Sequence, residues 1–352
     1  MPLVSKFLIL KGGREGGGGE GWSVGGIEDS AVVRTAYGII SITGIIGNTL
    51  ICLILLRFRQ MRTSTSYFVV HLSVVDLLSC IMVVPVHLFP SPPSMAGKFG
   101  DFVCRFYVSK YVMWTCILVS VGSLVLINLE RFVAIVYPLK YKRLYTTRKI
   151  TMMLLGCWLY ALVHNSFFFA VYELKGPDVC QYIGFPSLEV QIVFSFYHYF
   201  VYYAGPLGFM LASNWKMVNS LKEQISRLNN QPDRADKKKL WHAQAAHELQ
   251  KTLVLVVITY GICWGLNQTM FFCFLLTVPV DFTQPYYHFG VILGVCNSCL
   301  NPLIYTVKNK SFRNGLKALV LPCRGEKVHA HSAATTSISL AVSNEEQGAA
   351  NG

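Results

Sequence analysis

Seven stretches of this chain are apolar for long enough to cross a lipid bilayer, and no other feature restricts the possible folds so sharply. A spanning helix needs about 20 mostly apolar residues, because each residue advances ~1.5 Å along an axis that must cover ~30 Å of hydrocarbon. The windows run from Thr35 to Leu56, Tyr67 to Phe89, Tyr111 to Leu129 with a start as early as Cys104, Ile150 to Val171, Val190 to Leu211, Thr252 to Val278 and Tyr286 to Val307. Composition agrees: 53% of the 352 residues are hydrophobic and 14% are charged, where a soluble domain carries roughly 25% charge. The reading is an all-α fold, a seven-transmembrane helix bundle over residues 35–307. A glycine-rich, disordered segment (1–34) precedes it, and a short amphipathic eighth helix (308–323) and a disordered tail (324–352) follow.

A net charge of +13 raises the question of nucleic acid, so the placement of the basic residues matters. They lie between the apolar windows. Alternate connections hold 3 (Arg57, Arg59, Arg62), then 6 from Arg131 to Lys149, 8 from Lys216 to Lys251 and 6 from Lys308 to Lys327, while the opposite side holds 8 against 9 acidic residues. Positive charge stays inside. The N-terminus is therefore expected outside and the C-terminus in the cytoplasm of a multi-pass plasma-membrane protein whose basic loops meet the lipid bilayer, with no nucleic-acid partner. Met1 to Leu10 has only a short apolar run, so the first span is expected to direct insertion. Gly16, Gly18 and Gly21 satisfy GxGxxG in form, but no strand precedes them and no phosphate-facing helix follows.

Within the windows one side chain stands out. Asp76 is the only Asp, Glu, Lys or Arg in any of them, and a carboxylate at mid-membrane costs at least ~2.5 kcal/mol on insertion scales. It must face the interior and have partners. Ser120, Asn297, Ser298 and Asn301 lie near the middle of other spans and supply oxygens suited to a monovalent cation such as Na⁺. The competing reading is a protonated Asp76 bonded to Asn48 or Asn301, with no ion. Glu130-Arg131-Phe132 at the inner edge of the third span is either a charge pair that a partner breaks or a plain interfacial anchor. Asn301-Pro302-Leu303-Ile304-Tyr305 interrupts the seventh span with a proline that frees a carbonyl and permits a kink. Phe312, Leu316 and Leu319 or Val320, alternating with Lys310, Arg313 and Lys317, describe the amphipathic helix. Cys323 beyond it is a palmitoylation site or a free thiol. Ser332, Thr335, Thr336, Ser337, Ser339 and Ser343 form a tail that is either phosphorylated or unregulated.

Taken in order, Gly47-Asn48, Leu72-Ser73-Val74-Val75-Asp76, Glu130-Arg131-Phe132, Trp158, Pro206, Cys263-Trp264 and Asn301-Pro302-x-x-Tyr305 resemble the signature of rhodopsin-like (class A) G-protein-coupled receptors, from roughly Thr35 to Cys323. The resemblance implies an outward-opening ligand pocket and a disulfide between Cys104 and Cys180. It makes Glu130, Arg131 and Tyr305 the G-protein switch. Asn48, Trp158, Pro206, Trp264, Asn301 and Pro302 become an activation relay, with Trp264 as the pocket floor, and Asp76 a sodium ligand. Arrestin and a receptor kinase are the partners a phosphorylated tail would have. Five positions depart from the pattern: Leu266 where a kink proline is usual, Asn214 for a tyrosine, Phe132 for a tyrosine, Phe168 near a customary proline, and Cys104 about two residues farther from Arg131 than is typical. Leu266 leaves the sixth helix straighter or bending at Gly261 and Gly265. Asn214 weakens a link to Tyr305, and the top of the third helix is expected to unwind or bulge.

Counting up from Arg131, Met113 stands where amine receptors resemble one another in carrying aspartate, and it cannot pair with an ammonium. Val295 stands where opsins carry the retinal lysine, so no Schiff base forms there. The candidate pocket is Met113, Trp114, His198, Trp264, Asn267, Gln268, Tyr287 and His288, rich in aromatic area and neutral hydrogen-bonding groups. It resembles neuropeptide-type receptors, partly through Trp264-Gly265-Leu266-Asn267-Gln268. His71 and His164 read as packing residues, since no cluster has metal-ligand spacing. No nucleophile–base pair, metal motif or phosphate loop stands in context, so the chain is not expected to be an enzyme or to need a cofactor beyond allosteric Na⁺. Two other readings stay open: a heptahelical protein with weak or no G-protein coupling, and a transporter or channel, which would want inverted repeats and broken helices.

Overall fold

The computed structural model describes residues 30–58, 63–89, 96–175, 179–230, 234–281, 284–308 and 310–320. The glycine-rich N-terminal segment to residue 29, Cys323 and the hydroxyl-rich tail lie outside the described residues. Seven long helices form the bundle. The first is Ala31–Arg57. The second is Ser64–Val83, continued by a π turn Val84–Leu88. The third, Tyr111–Val136, is preceded by Gly97–Val103 and a π turn Cys104–Val108. The fourth is Thr147–Asn165. The fifth is Leu188–Tyr199, a π turn Phe200–Ala204 and Gly205–Asn229. The sixth is Arg234–Leu275 and the seventh Pro285–Lys308. A short helix, Lys310–Val320, follows as the eighth.

The bundle is apolar outside, and its polar side chains are held within an apolar core, as lipid demands. Ile42, Leu53, Leu155, Val193, Ile262 and Phe289 are exposed, whereas Asn48, Asp76, Ser123, Glu130 and Asn301 are buried. Six of the helices are long and apolar enough by composition alone to cross a membrane. The fifth is more polar than its window suggested, because Tyr197, His198, Tyr199, Tyr202 and Tyr203 crowd its apolar half. Two of those hydroxyls bond across the bundle: Tyr202 to Asn165 at 2.8 Å and Tyr203 to the Gly261 carbonyl at 3.1 Å.

Local chemistry moves several boundaries. The first helix begins at Ala31, so residues 31–34 belong to it rather than to the disordered segment, because the Ser30 side chain accepts from the Val33 amide. The second helix starts on a reciprocal capping box between Thr63 and Ser66. The fourth helix stops at Asn165 instead of running to Val171, and Phe168–Val171 is a separate turn, formed without any proline. Ser166 Oγ donates to the Val163 carbonyl at 2.7 Å, which competes with continued helix. The fifth and sixth helices overrun their apolar windows at the end that carries Arg131, reaching Asn229 and starting at Arg234. The eighth helix occupies less than the span 308–323.

At the opposite end the chain makes one antiparallel hairpin, β1 (Tyr172–Lys175) and β2 (Val179–Tyr182), with Leu174 opposite Cys180. Cys104 and Cys180 form a disulfide, their Cα atoms 5.4 Å apart, which staples β2 to the top of the third helix. There the chain does unwind, since Lys110 is left-handed at φ 61°. The sixth helix runs uninterrupted past Leu266, and its two glycines are packing surfaces: a Cβ on Gly265 would lie 2.8 Å from the Tyr203 hydroxyl.

The first helix lies close against its neighbours through two glycines. A Cβ on Gly44 would sit 2.2 Å from Cys80 Sγ, and one on Gly47 would sit 2.6 Å from Pro302 Cβ. Gly47→Val is therefore expected to force the first and seventh helices apart at a cost of about 1–3 kcal/mol. It should lower the melting temperature of the detergent-solubilised protein. Gly38→Ala, where nothing lies within 4 Å, should leave it unchanged or raise it slightly.

Candidate functional site

The centre of the bundle is organised by Asp76, which is fully buried. Ser120 Oγ of the third helix donates to Oδ1 at 2.7 Å, and Asn301 Nδ2 of the seventh donates to Oδ2 at 2.9 Å. Of the two amides considered as partners, Asn301 is the one in contact. Asn48 Nδ2 instead donates to the Gly44 carbonyl at 2.9 Å and the Ser298 carbonyl at 3.0 Å. Asn297 Oδ1, one turn before Asn301, is buried with no hydrogen-bond partner among the described residues. The carboxylate and the two serine hydroxyls bonded to it, Ser120 and Ser298, are oxygen donors of the kind a hard cation prefers.

Two prolines near this level exchange backbone bonds for bonds between helices. Pro302 has no N–H to give the carbonyl four residues earlier, which is that of Ser298, and Asn48 of the first helix donates there instead. Pro206 likewise releases the Tyr202 carbonyl, and the Tyr260 hydroxyl of the sixth helix donates to it. Trp158 has a different task. Its Nε1 donates to His71 Nε2 at 3.0 Å, which leaves His71 Nδ1 to donate to Ser123 Oγ at 2.9 Å, and Ser123 donates to the Val119 carbonyl at 2.7 Å. The chain of donors ties the fourth, second and third helices together, and it makes His71 a structural residue.

At the arginine end, Glu130 is wholly buried and acts as an acceptor for three side chains. Thr65 Oγ1 reaches both of its oxygens at 3.0 and 3.1 Å, Arg131 Nε donates at 2.8 Å, and the Tyr141 hydroxyl of the short helix Pro138–Leu144 donates to Oε1. Burial, together with the neighbouring Glu130 carboxylate, pushes the Tyr141 hydroxyl well above its usual range, so it remains a donor. Phe132 packs edge-on against Tyr137 and lies 5.9 Å beneath Lys216 Nζ. Tyr305 packs with Ile51, Ile54 and Phe312, joining the first and eighth helices. Asn214 bonds to the third helix: its Nδ2 donates to Asn128 Oδ1 at 2.7 Å.

Toward the disulfide end, Trp264 and Trp114 have ring centroids 6.4 Å apart, and the Trp264 ring lies against Gly294. Trp264 Nε1 is buried without a hydrogen-bond partner among the described residues. Met113, Asn267 and His288 are also buried. His198 stacks on Tyr202 at 4.4 Å and meets His164, Nδ1 to Nε2, at 3.2 Å. Trp114, Trp264 and Met113 thus share one apolar cluster, while Tyr287 packs apart from them, against Val33, Tyr37 and Val291. The residues that sequence reasoning passed over are Thr65, Tyr141, Asn128, Asn165, Tyr202 and Tyr260. Each is an ordinary polar or aromatic residue whose partner lies on another helix.

Residues 47–305 match the family described as the 7 transmembrane receptor (rhodopsin family). Among individual proteins, the chain is similar to galanin receptor 2b of Danio rerio, 26% identical over 87% of this chain and 80% of the relative. It is also similar to neuropeptide Y receptor type 6 of Mus musculus, 28% identical over 82% and 80%. Neuromedin-U receptor 2 of Mus musculus is 25% identical over 83% and 76%.

Tyr141→Phe removes one donor from a buried carboxylate, where a hydrogen bond to a charged group is worth about 1.5–3 kcal/mol. Thermal unfolding of the purified variant should show a lower melting temperature. An unchanged melt would mean that this hydroxyl does not hold Glu130.

Proposed function

The chain belongs to the rhodopsin family of seven-transmembrane receptors, a family of receptors rather than enzymes, and we propose that it converts the binding of an extracellular peptide into activation of a heterotrimeric G protein. The observation that carries the output half is the buried Glu130 cluster. Arg131 is bound to the carboxylate beside it on its own helix and is 11% exposed, so a partner that draws the guanidinium away must take it from one acceptor that Thr65 and Tyr141 continue to satisfy. When the guanidinium leaves, the carboxylate keeps two hydroxyl donors. The relatives' names, which refer to galanin, neuropeptide Y and neuromedin U, support a peptide as the ligand. Met113, in place of an acid, argues against a small amine. Broken midplane helices at a paired charge relay, which a transporter reading would want, find no counterpart in the sixth helix, which is continuous.

We place the N-terminus outside and the arginine end in the cytoplasm. The excess of Lys and Arg in the connections on that side supports this orientation. So does the disulfide at the opposite end, since disulfides persist in oxidising compartments. Arrestin and a receptor kinase are proposed as further partners of the hydroxyl-rich tail, and an acyl chain on Cys323 as its anchor. At Asp76 we propose an allosteric Na⁺, held by the carboxylate with oxygens from Ser120, Ser298 and Asn297; the ion would brace the second, third and seventh helices against one another.

Two experiments test these readings. In cells expressing the chain, a peptide library should contain agonists that drive nucleotide exchange on G proteins, and Arg131→Ala should abolish exchange while sparing peptide binding. Normal signalling by that variant would refute the switch. For the ion, the purified receptor should melt at a higher temperature in sodium chloride than in choline chloride of equal ionic strength. Saturation about tenfold above the dissociation constant contributes ~1.4 kcal/mol. Asp76→Asn should erase the difference; a sodium effect that survives it would place the ion elsewhere.

A further inference from the structure

Three side-chain amides from three helices meet at the arginine end. Asn128 lies on the third helix, Asn214 on the fifth and Gln250 on the sixth, and all are buried, at 1%, 4% and 1% exposure. They form a directed series. Gln250 Nε2 donates to Asn214 Oδ1, Asn214 Nδ2 donates to Asn128 Oδ1 at 2.7 Å, and Asn128 Nδ2 donates to the Leu124 carbonyl of its own helix at 3.0 Å. Asn214 thus uses both ends of its amide to bridge its neighbours, something the phenol of a tyrosine, with one oxygen, could not do in the same way. Beside them Ile135, Met217, Leu221 and Ala246 pack as a dry cluster from the same three helices. The charged groups nearby are occupied locally: Arg131 with Glu130, and Lys251 with Glu248 at 2.6 Å, each within one helix.

We propose that Asn128, Asn214 and Gln250 are a latch that holds the sixth helix against the third and fifth, and that its release lets the sixth helix swing outward and opens the arginine end to a G protein. The inference rests on the receptor reading above and deepens it by naming what sets agonist-free activity. Neutral amides suit such a latch. While the helices are closed the site is dry and the bonds are made; when the sixth helix swings out, water replaces them and no charge is left bare. The closed state already carries one cost, because Gln250 Oε1 is buried without a partner, and opening relieves it. The latch therefore biases the equilibrium without freezing it.

The test uses full-length receptor in detergent and needs no agonist. Spin labels are attached through ketone-bearing amino acids placed at Leu139 and Gln244, two exposed positions near the arginine end, so the native cysteines stay untouched. The distance between the labels is measured by pulsed electron resonance, and basal nucleotide exchange on a panel of G proteins is measured in parallel. Gln250→Leu and Asn214→Leu should each populate a longer distance and raise basal exchange roughly fivefold, the shift expected for one net hydrogen bond. The double variant should do no more than Asn214→Leu alone, because that change already removes the bond to Gln250; a mere packing role would give additive losses of stability and no change in distance. If the leucine variants do not fold, Gln250→Glu keeps the size, removes the donor and opposes Asn214 Oδ1 with a carboxylate, so it should open the site too. Unchanged distances in the folded variants overturn the latch. Longer distances with no exchange from any form, wild type included, uphold the latch and overturn G-protein coupling.

Discussion

A carboxylate placed where there is no water has to collect its donors from the protein, and at Asp76 this single demand sets how the second, third and seventh helices face one another. Ser120 and Asn301 approach opposite oxygens of the group, so neither helix can rotate by a residue without leaving part of a buried polar group unmet. Removing one partner of such a group costs about 1–3 kcal/mol, more than a surface contact does. The rest of the axis follows the same logic. Asn48, His71, Ser123 and Trp158 are polar groups that lipid would not solvate, and each bonds to another helix or to a freed carbonyl.

The two prolines give this rigid axis its places of give. A proline within a helix opens one backbone bond and makes that turn easier to bend. Here each released carbonyl is taken by a side chain from a neighbour, Asn48 for the seventh helix and Tyr260 for the fifth. A bend in either helix must therefore pull on the first or the sixth. The sixth helix has no such joint. Leu266 keeps its backbone intact, and Gly261 and Gly265, which might have served as hinges, are covered by Leu207 and Tyr203. An unbroken helix can move only as a rod, and what restrains a rod is whatever holds its end.

The spans were legible because membrane thickness fixes their length, and Asp76 because it is the one charge in the windows. Ser120 and Asn301 could be named from their depth alone. Other features had no sequence signal. Gln250 precedes the apolar window that starts at Thr252, in a polar stretch that reads as a solvated connection, and it is buried because the fifth and sixth helices run on beyond their apolar windows and pack together. Tyr141 sits in a basic loop, and nothing local says that its hydroxyl reaches a glutamate eleven residues earlier. The hairpin near Cys180 is too short for a periodicity to be seen, and its partner in the disulfide lies 76 residues away. Helix ends set by Ser30 and Ser166 depend on single hydroxyls, which hydropathy does not register.

The surplus of residues between Cys104 and Arg131 shows why a departure from a family's spacing need not disturb the contacts further along the same helix. An insertion within a helix would rotate everything beyond it by about 100° per residue, and Ser120 could then no longer meet Asp76 nor Glu130 meet Thr65. Instead the extra length is taken up above the site. The turn Cys104–Val108 is π-helical, a wider turn that holds an additional residue, and Lys110 adopts the left-handed conformation, at φ 61°. A lysine there costs ~1–2 kcal/mol. Local bonds hold it: Ser109 Oγ donates to the Arg105 carbonyl at 2.5 Å and accepts from the Tyr111 amide at 3.2 Å, and the Tyr107 hydroxyl donates to the Pro85 carbonyl. The disulfide fixes the same turn from outside. Below Lys110 the helix runs regular from Tyr111 to Val136, so its register is measured from Asp76 and Glu130 upward. The irregularity is confined to the end that carries the disulfide, and the register that brings Ser120 to Asp76 and Glu130 to Thr65 is untouched by it.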